Sequence, residues 1–264
     1  MRNVYRCDAT LQVAISALNG LSNNYFHFLV ETLPFLGSVS IALDQESGLA
    51  SKGPIACFVR KDRPQFVDYW INAGLADHLL VIPWSFNKVI VRSLLQPTLP
   101  YHVLSKENIP LWGIQRYLAS GLDYIRMLGY RATRDVNEQH THKKIFISRR
   151  GLSRVILNED DVDALLHKHN YIKIFLEDLE IPDQIALFRS ASHLVCLHGA
   201  GMANLIFTNQ PQVIELFPSA RRHEMLHFYA QLSGWSHAKH SVLICESDVN
   251  ENINVNIKSL EQFL

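Results

Sequence analysis

Cysteine is scarce. Four residues, Cys7, Cys57, Cys196 and Cys245, are spread through 264 positions, and none forms a CxxC pair. That excludes a disulfide-dense scaffold and a paired-cysteine zinc or redox motif, and predicts free, mostly buried thiols in a reducing compartment. Long apolar runs are missing too: none approaches the ~20 residues of a membrane-spanning helix. The opening stretch, MRNVYRCDATLQVAIS, is interrupted by polar residues, so no secretory leader is read there. Charge of one sign is not in excess. Lys+Arg 25 balances Asp+Glu 25, which argues against a nucleic-acid groove or an anionic membrane surface as partner. No internal repeat or low-complexity tract stands out.

What is present is an ordinary globular composition, 48% hydrophobic and 19% charged. A chain of this length forms one large domain or two of about 100–150 residues. Apolar runs alternate with helical patterns. In the first half, NNYFHFLVETLPFLGSVSIAL reads as a helix that must kink or restart at Pro34. PIACFVR reads as a strand, PQFVDYWINAGL as a helix closed by Gly74, HLLVIP and KVIVRSLL as strands, and IPLWGIQRYLASGLDYIRMLGY as a long helix. RATRDVNEQHTHKK has no apolar period and reads as a linker. Beyond it come strands KIFISRR, YIKIFL, HLVCL and QVIELF, separated by helices NEDDVDALLHKHN, IPDQIALFRSA, GMANLIF and EMLHFYAQLSG. Strands joined by single helices imply right-handed crossovers and mostly parallel sheets. The expected organisation is an α/β domain over residues 1–131, a linker over 132–143 and a second α/β domain over 144–264.

The segment HLVCLHGAGMANLIF carries the most chemistry. A strand ends at Leu197, His198 follows, and Gly199-Ala200-Gly201 turns into a helix start. Such a turn offers backbone N–H groups and a positive dipole end, and two glycines let an anion approach. It is not a dinucleotide fingerprint, because Asn204 stands where GxGxxG needs its last glycine, nor is it a GxxxxGK[ST] loop. A tight turn with no ligand remains the competing reading. A second stretch, KIFISRRGLSRV, sets Arg149, Arg150 and Arg154 just past a strand's carboxyl end, where guanidinium groups suit phosphate. Parallel sheets bind their ligands at that edge.

Four blocks, NYFHFLVETLPFL (24–36), KIFISRRGLSRVILNEDDV (144–162), IPDQIALFRSASHLVCLHGAGMANLIF (181–207) and QVIELFP (212–218), together resemble glycosyltransferase family 61. That family includes protein O-GlcNAc and O-mannose GlcNAc transferases, plant xylan transferases and bacterial enzymes of surface polysaccharides and capsules. The resemblance implies a GT-B-like fold, two Rossmann-like domains with mostly parallel sheets facing a cleft. It implies inverting transfer from a nucleotide sugar, usually a UDP-sugar, with no cofactor and no required metal. It also implies a glycan or lipid-linked acceptor. By the same resemblance, Arg149 and Arg154 neutralise the donor diphosphate beside His198, Gly199, Ala200 and Gly201. Asn204 ties that turn to the cleft. Glu215 either accepts ribose hydroxyls or serves as a structural partner.

His27 and Glu31 are spaced i, i+4 on one helix face, with Asn24 as its cap. Phe28 stands where the family usually has Trp. On the acceptor side, His27 or Glu31 is the candidate base for the acceptor hydroxyl, with a satisfied wall histidine as the plainer alternative. The chain is short for the family, so part of the first domain is expected to be missing. The lack of a leader points to a cytoplasmic, bacterial enzyme working near a membrane without crossing it. Asp161-Val162-Asp163 spells DxD, but behind Asn158 it reads as helix capping. His140-Thr141-His142 reads as solvated linker, not metal ligands. Two rival classes stay open: another Rossmann-type nucleotide-dependent enzyme, and a non-catalytic nucleotide- or glycan-binding relative.

Overall fold

The computed structural model describes residues 9–17, 23–37, 39, 55–75, 79–84, 89–95, 114–133, 143–149, 154–221 and 226–264. The chain divides into two compact units, residues 1–128 and 129–264. The predicted linker falls mostly on 134–142, outside the described residues, as do Cys7, Arg150 and the His140–His142 stretch.

In the first unit four parallel strands lie in the order β3-β2-β1-β4. They are β1 (Ala9–Ser16), β2 (Ile55–Val59), β3 (Leu79–Pro83) and β4 (Val89–Leu95). Three of them are the predicted strands. β1 was not foreseen: its alternation of Thr10 and Gln12 with Leu11, Val13 and Ile15 defeats a leader but suits a strand. It takes a central place, with Ala14 and Ile15 fully buried.

The helix after β1 starts as foreseen. Asn24 caps α1 (Tyr25–His27), its side chain accepting the Phe26 N–H at 3.0 Å. The helix then widens into a π turn, Phe28–Thr32, in which the Leu33 N–H reaches back to the Phe28 carbonyl. The disturbance expected at Pro34 is therefore met one turn earlier. A π turn gives slack where a proline ring and its missing N–H would break an α-helical ladder. Phe26, Phe28, Leu29, Leu33 and Leu36 are all buried, so this helix is a wall of the core. A second helix, α2 (Gln65–Trp70), also ends in a π turn, Ile71–Leu75.

The long helix α3 (Ile114–Ala132) contains Gly121, where propensity alone would disfavour glycine. Its reason is contact: a Cβ there would lie 2.4 Å from the Pro34 carbonyl oxygen. Backbone cannot swing aside as a flexible side chain can. Gly121→Ala should therefore destabilise the protein by about 1–3 kcal/mol, despite alanine's better helix propensity. A urea midpoint at or above that of the native protein would show that this packing is looser.

The second unit holds one six-stranded sheet in the order β10-β9-β8-β7-β5-β6. Strands β5 (Lys144–Ser148), β6 (Ile172–Phe175), β7 (His193–Leu197), β8 (Gln212–Pro218) and β9 (Lys239–Ser247) run parallel; β10 (Ile253–Asn254) is antiparallel. Helices α4 (Glu159–Lys168), α5 (Ile181–Ser190) and α6 (Leu226–Trp235) form crossovers, and α7 (Ile257–Glu261) closes the unit. β7 and β8 are buried almost end to end, as strands covered on both faces are. β9, β10 and α7 lie in a stretch that gave no clear reading.

Two local expectations are corrected. The run after Gly201 is a 3₁₀ helix, Ala200–Phe207, not an α-helix, and six of its residues are buried. Asn158 makes no side-chain cap on α4. Its amide instead forms a two-point clasp with Val255, donating to the carbonyl and accepting from the N–H, each at 2.9 Å.

Candidate functional site

In an open parallel sheet, the ligand crevice lies beyond the carboxyl ends of strands, where the strand order reverses. In the second unit that reversal falls between β5 and β7, because β6 and β8 lie on opposite sides of the pair. Arg149 follows β5 directly, and His198-Gly199-Ala200-Gly201 follows β7. The two stretches meet. A Cβ on Gly199 would stand 3.2 Å from Arg149 Nη1. The Gly199 φ of 168° is extended, so the glycine supplies room for the guanidinium and is not relieving backbone strain. A Cβ on Gly201 would lie 2.7 Å from Leu176 Cδ1, so this glycine lets the turn pack on its own unit.

Arg154 closes the same corner. Its Nη1 donates to the His198 carbonyl at 3.3 Å, and its backbone is left-handed, φ 67°. A third arginine joins it. Arg221 Nη1 donates to Glu251 Oε2 at 2.5 Å, and Arg154 Nε lies 3.7 Å from the same oxygen. Burial, then the charges of Arg149 and Arg221, hold the Arg154 pKa below its ordinary value; Glu251 pulls it back. Among the described residues, three guanidinium groups thus share one neighbourhood with the Glu251 carboxylate. Sequence reasoning missed Arg221 and Glu251. Arg221 had a usable signal, a basic residue just past the carboxyl end of β8, as Arg149 is past β5. Glu251 had none.

Behind the turn sits a buried polar row. His198 Nδ1 donates to Glu215 Oε1, and His240 Nε2 lies 3.0 Å from Glu215 Oε2. Glu215 is fully buried. Burial alone would raise its pKa, but the two histidines outweigh this and hold it below the ordinary value. Burial, with Arg221 and Arg154, holds the His198 pKa down against the pull of Glu215. The His198 ring stands edge-on to Phe217 and Tyr229, with centroids 4.9 and 5.0 Å away. Glu215 is thus held between two histidines. Asn204 is also fully buried and donates to Gln184 Oε1 at 3.0 Å, binding the 3₁₀ helix to α5. Gln184 in turn donates to the Leu176 and Leu179 carbonyls.

In the first unit the order reverses between β1 and β4. The helix bearing Asn24, His27 and Glu31 is the one that follows β1. His27 Nδ1 and Glu31 Oε1 are 2.8 Å apart, with the histidine side chain 23% exposed and the carboxylate 6%. An ionised Glu31 fixes the tautomer with the proton on Nδ1 and leaves Nε2 to accept. The DxD reading finds a structural account: Asp163 pairs with Lys173 Nζ at 2.7 Å. Cys57, Cys196 and Cys245 are free and buried, and burial pushes the Cys57 and Cys245 thiols up to about 12. No helix among the described residues is long and apolar enough to cross a membrane.

In the second unit, basic groups and an imidazole thus gather at the carboxyl edge where an open parallel sheet takes its ligand. Comparison with known families is more specific. The family Glycosyltransferase 61 matches residues 25–214, and the chain belongs to that family. A 76-residue stretch is 34% identical to the EGF domain-specific O-linked N-acetylglucosamine transferase of Drosophila melanogaster. That stretch is 27% of this chain and spans only 15% of the fly protein. Arg221, Tyr229, His240 and Glu251 all lie beyond the region that the family match covers.

Proposed function

We propose that the protein is an inverting glycosyltransferase of the GT-B type, using a nucleoside-diphosphate sugar, a UDP-sugar first among candidates. The observation that carries the reading is the meeting of Arg149, Arg154 and Arg221 with the His198–Gly201 turn at the switch point of the second sheet. Guanidinium groups fit diphosphate oxygens two at a time and neutralise the charge that grows on the leaving group. They serve in place of a required metal ion. The acceptor is a hydroxyl of a glycan or lipid-linked sugar, and the setting is bacterial surface-polysaccharide synthesis in the cytoplasm.

In this mechanism His27 Nε2 takes the acceptor proton while Glu31 holds the ring by Nδ1. The acceptor oxygen attacks the anomeric carbon from the face opposite the diphosphate. A new C–O bond forms as the bond to the diphosphate breaks, and the electron pair leaves with the phosphate oxygen. One in-line displacement inverts the anomeric centre. The fly relative, named as an N-acetylglucosamine transferase, supports transfer of a sugar.

Calorimetry with UDP, GDP, CDP, dTDP, NAD and S-adenosylmethionine, in chelator, tests the reading. One nucleoside diphosphate should bind at micromolar strength, and Arg154→Ala should weaken it by about 1.5–3 kcal/mol, the usual loss of a charge-assisted contact. Equal affinity in the variant would move the site elsewhere. Preference for NAD or S-adenosylmethionine would revive another nucleotide-dependent chemistry.

A further inference from the structure

Glu251 is an unexpected neighbour for an anion site. Its Oε2 touches two of the three arginines, Arg221 at 2.5 Å and Arg154 at 3.7 Å. Its place is not casual. Asp248 accepts from the Asn250 N–H, the Asn252 N–H and the Asn252 side-chain amide at 2.8, 2.9 and 2.9 Å, which folds the turn. Asn252 Oδ1 then accepts from the Val155 N–H at 3.1 Å. Ile253 donates to the Val155 carbonyl at 2.9 Å and accepts from Leu157 at 2.8 Å. Residues 251 and 154 are thus flanked by backbone hydrogen bonds between their own loops. Both adopt left-handed backbone, φ 63° and φ 67°, which neither side chain favours. The fold holds a carboxylate against the arginines at a local conformational cost.

We propose that Glu251 is a built-in counter-anion: it orders Arg154 and Arg221 before the donor arrives, and it competes with the diphosphate for them. The inference rests on the diphosphate reading of that corner. By drawing on guanidinium groups that hold the phosphates, the same carboxylate hastens release of the product. A phosphate oxygen displaces one guanidinium contact of Glu251, and Glu251 reclaims it as the nucleotide departs.

The test is UDP, UMP and uridine titrated into wild type, Glu251→Gln and Arg154→Ala at two salt concentrations, with a thermal melt to verify folding. A charge ~6 Å from a diphosphate carrying about two negative charges, at a water-like dielectric of about 80, predicts roughly tenfold tighter UDP binding by Glu251→Gln. The gain should be smaller for UMP, absent for uridine and reduced by salt. Loss of structure alone weakens binding, so tightening is not its signature. Glu251→Asp, which keeps the charge on a shorter arm, should bind UDP within about threefold of wild type. Unchanged or weaker UDP binding by a folded Glu251→Gln, with Arg154→Ala still defective, would overturn the counter-anion role and leave the diphosphate site standing. No UDP binding by wild type, with no other nucleoside diphosphate in its place, would overturn both.

Discussion

Exchanging His27 for glutamine should cut sugar transfer about 10²–10⁴-fold, the span that a positioned general base contributes. Glutamine keeps a similar reach and a hydrogen bond to Glu31, but it cannot take a proton. Binding of the nucleoside diphosphate should not change, because the arginines that would hold it belong to the other unit. Glu31→Gln should cost less, since it leaves the imidazole in place and removes only the carboxylate that orders it. The measurement is release of nucleoside diphosphate from the bound donor sugar, across a panel of glycan acceptors, for both variants beside wild type. If His27→Gln turns over within threefold of wild type, the base lies elsewhere and the His27–Glu31 pair is simply a satisfied feature of a buried helix.

A second large effect is expected at Glu215. Removing Glu215 leaves the His198 N–H buried without its acceptor and His240 without its neighbour, a loss of about 1–3 kcal/mol for each unsatisfied donor. Glu215→Ala strands His198 and His240 together, so its urea midpoint should fall sharply. A loss under ~1 kcal/mol would mean the histidines find other partners. Acid acts on the same row. The folded Glu215 pKa lies below the ordinary 4.5, so the unfolded chain binds the proton more readily. That part of the stability is full above the unfolded value and disappears as pH falls through the folded one. The His198 pKa also lies below its ordinary 6.5, so acid favours the unfolded chain there too. Wild-type stability should therefore drop as pH falls below ~6.5, and again in the carboxylate range. Urea midpoints at several pH values check both steps. A rise in stability between neutrality and mild acid would place the proton on His198 already in the folded state.

Legibility in the sequence followed the range of the interaction. Arg149 and the Gly199 turn declared themselves because each directly follows an apolar run, and strand, turn and glycine are neighbours in the chain. The Asn24 cap and the His27–Glu31 pair are local as well, settled within one helical turn. The 3₁₀ form of Ala200–Phe207 was not legible, since burying nearly every residue leaves no face whose spacing would betray the pitch. Nor was the partnership of Arg221 with Glu251, which are 30 residues apart. Asn158 looked like a cap because caps are local, whereas its actual partner, Val255, is 97 residues away. β1 was hidden for a different reason: polar residues at alternate positions mask a strand whose neighbours in the sheet come 40 or more residues later.

The clasp between the Arg154 loop and the turn at Glu251 has a consequence for synthesis. Val155 waits for a partner that lies 97 residues further along the chain. At a translation rate of about 5–20 residues per second, that is several seconds in which β5 exists without the loop's final geometry. The emerging polypeptide therefore carries its first two arginines long before the third arginine and their carboxylate arrive. A ribosome-bound chain halted before Glu251 has no means to fix Arg154 by this route, and the contacts of Arg154 and Arg221 with Glu251 form only when the last strands are delivered.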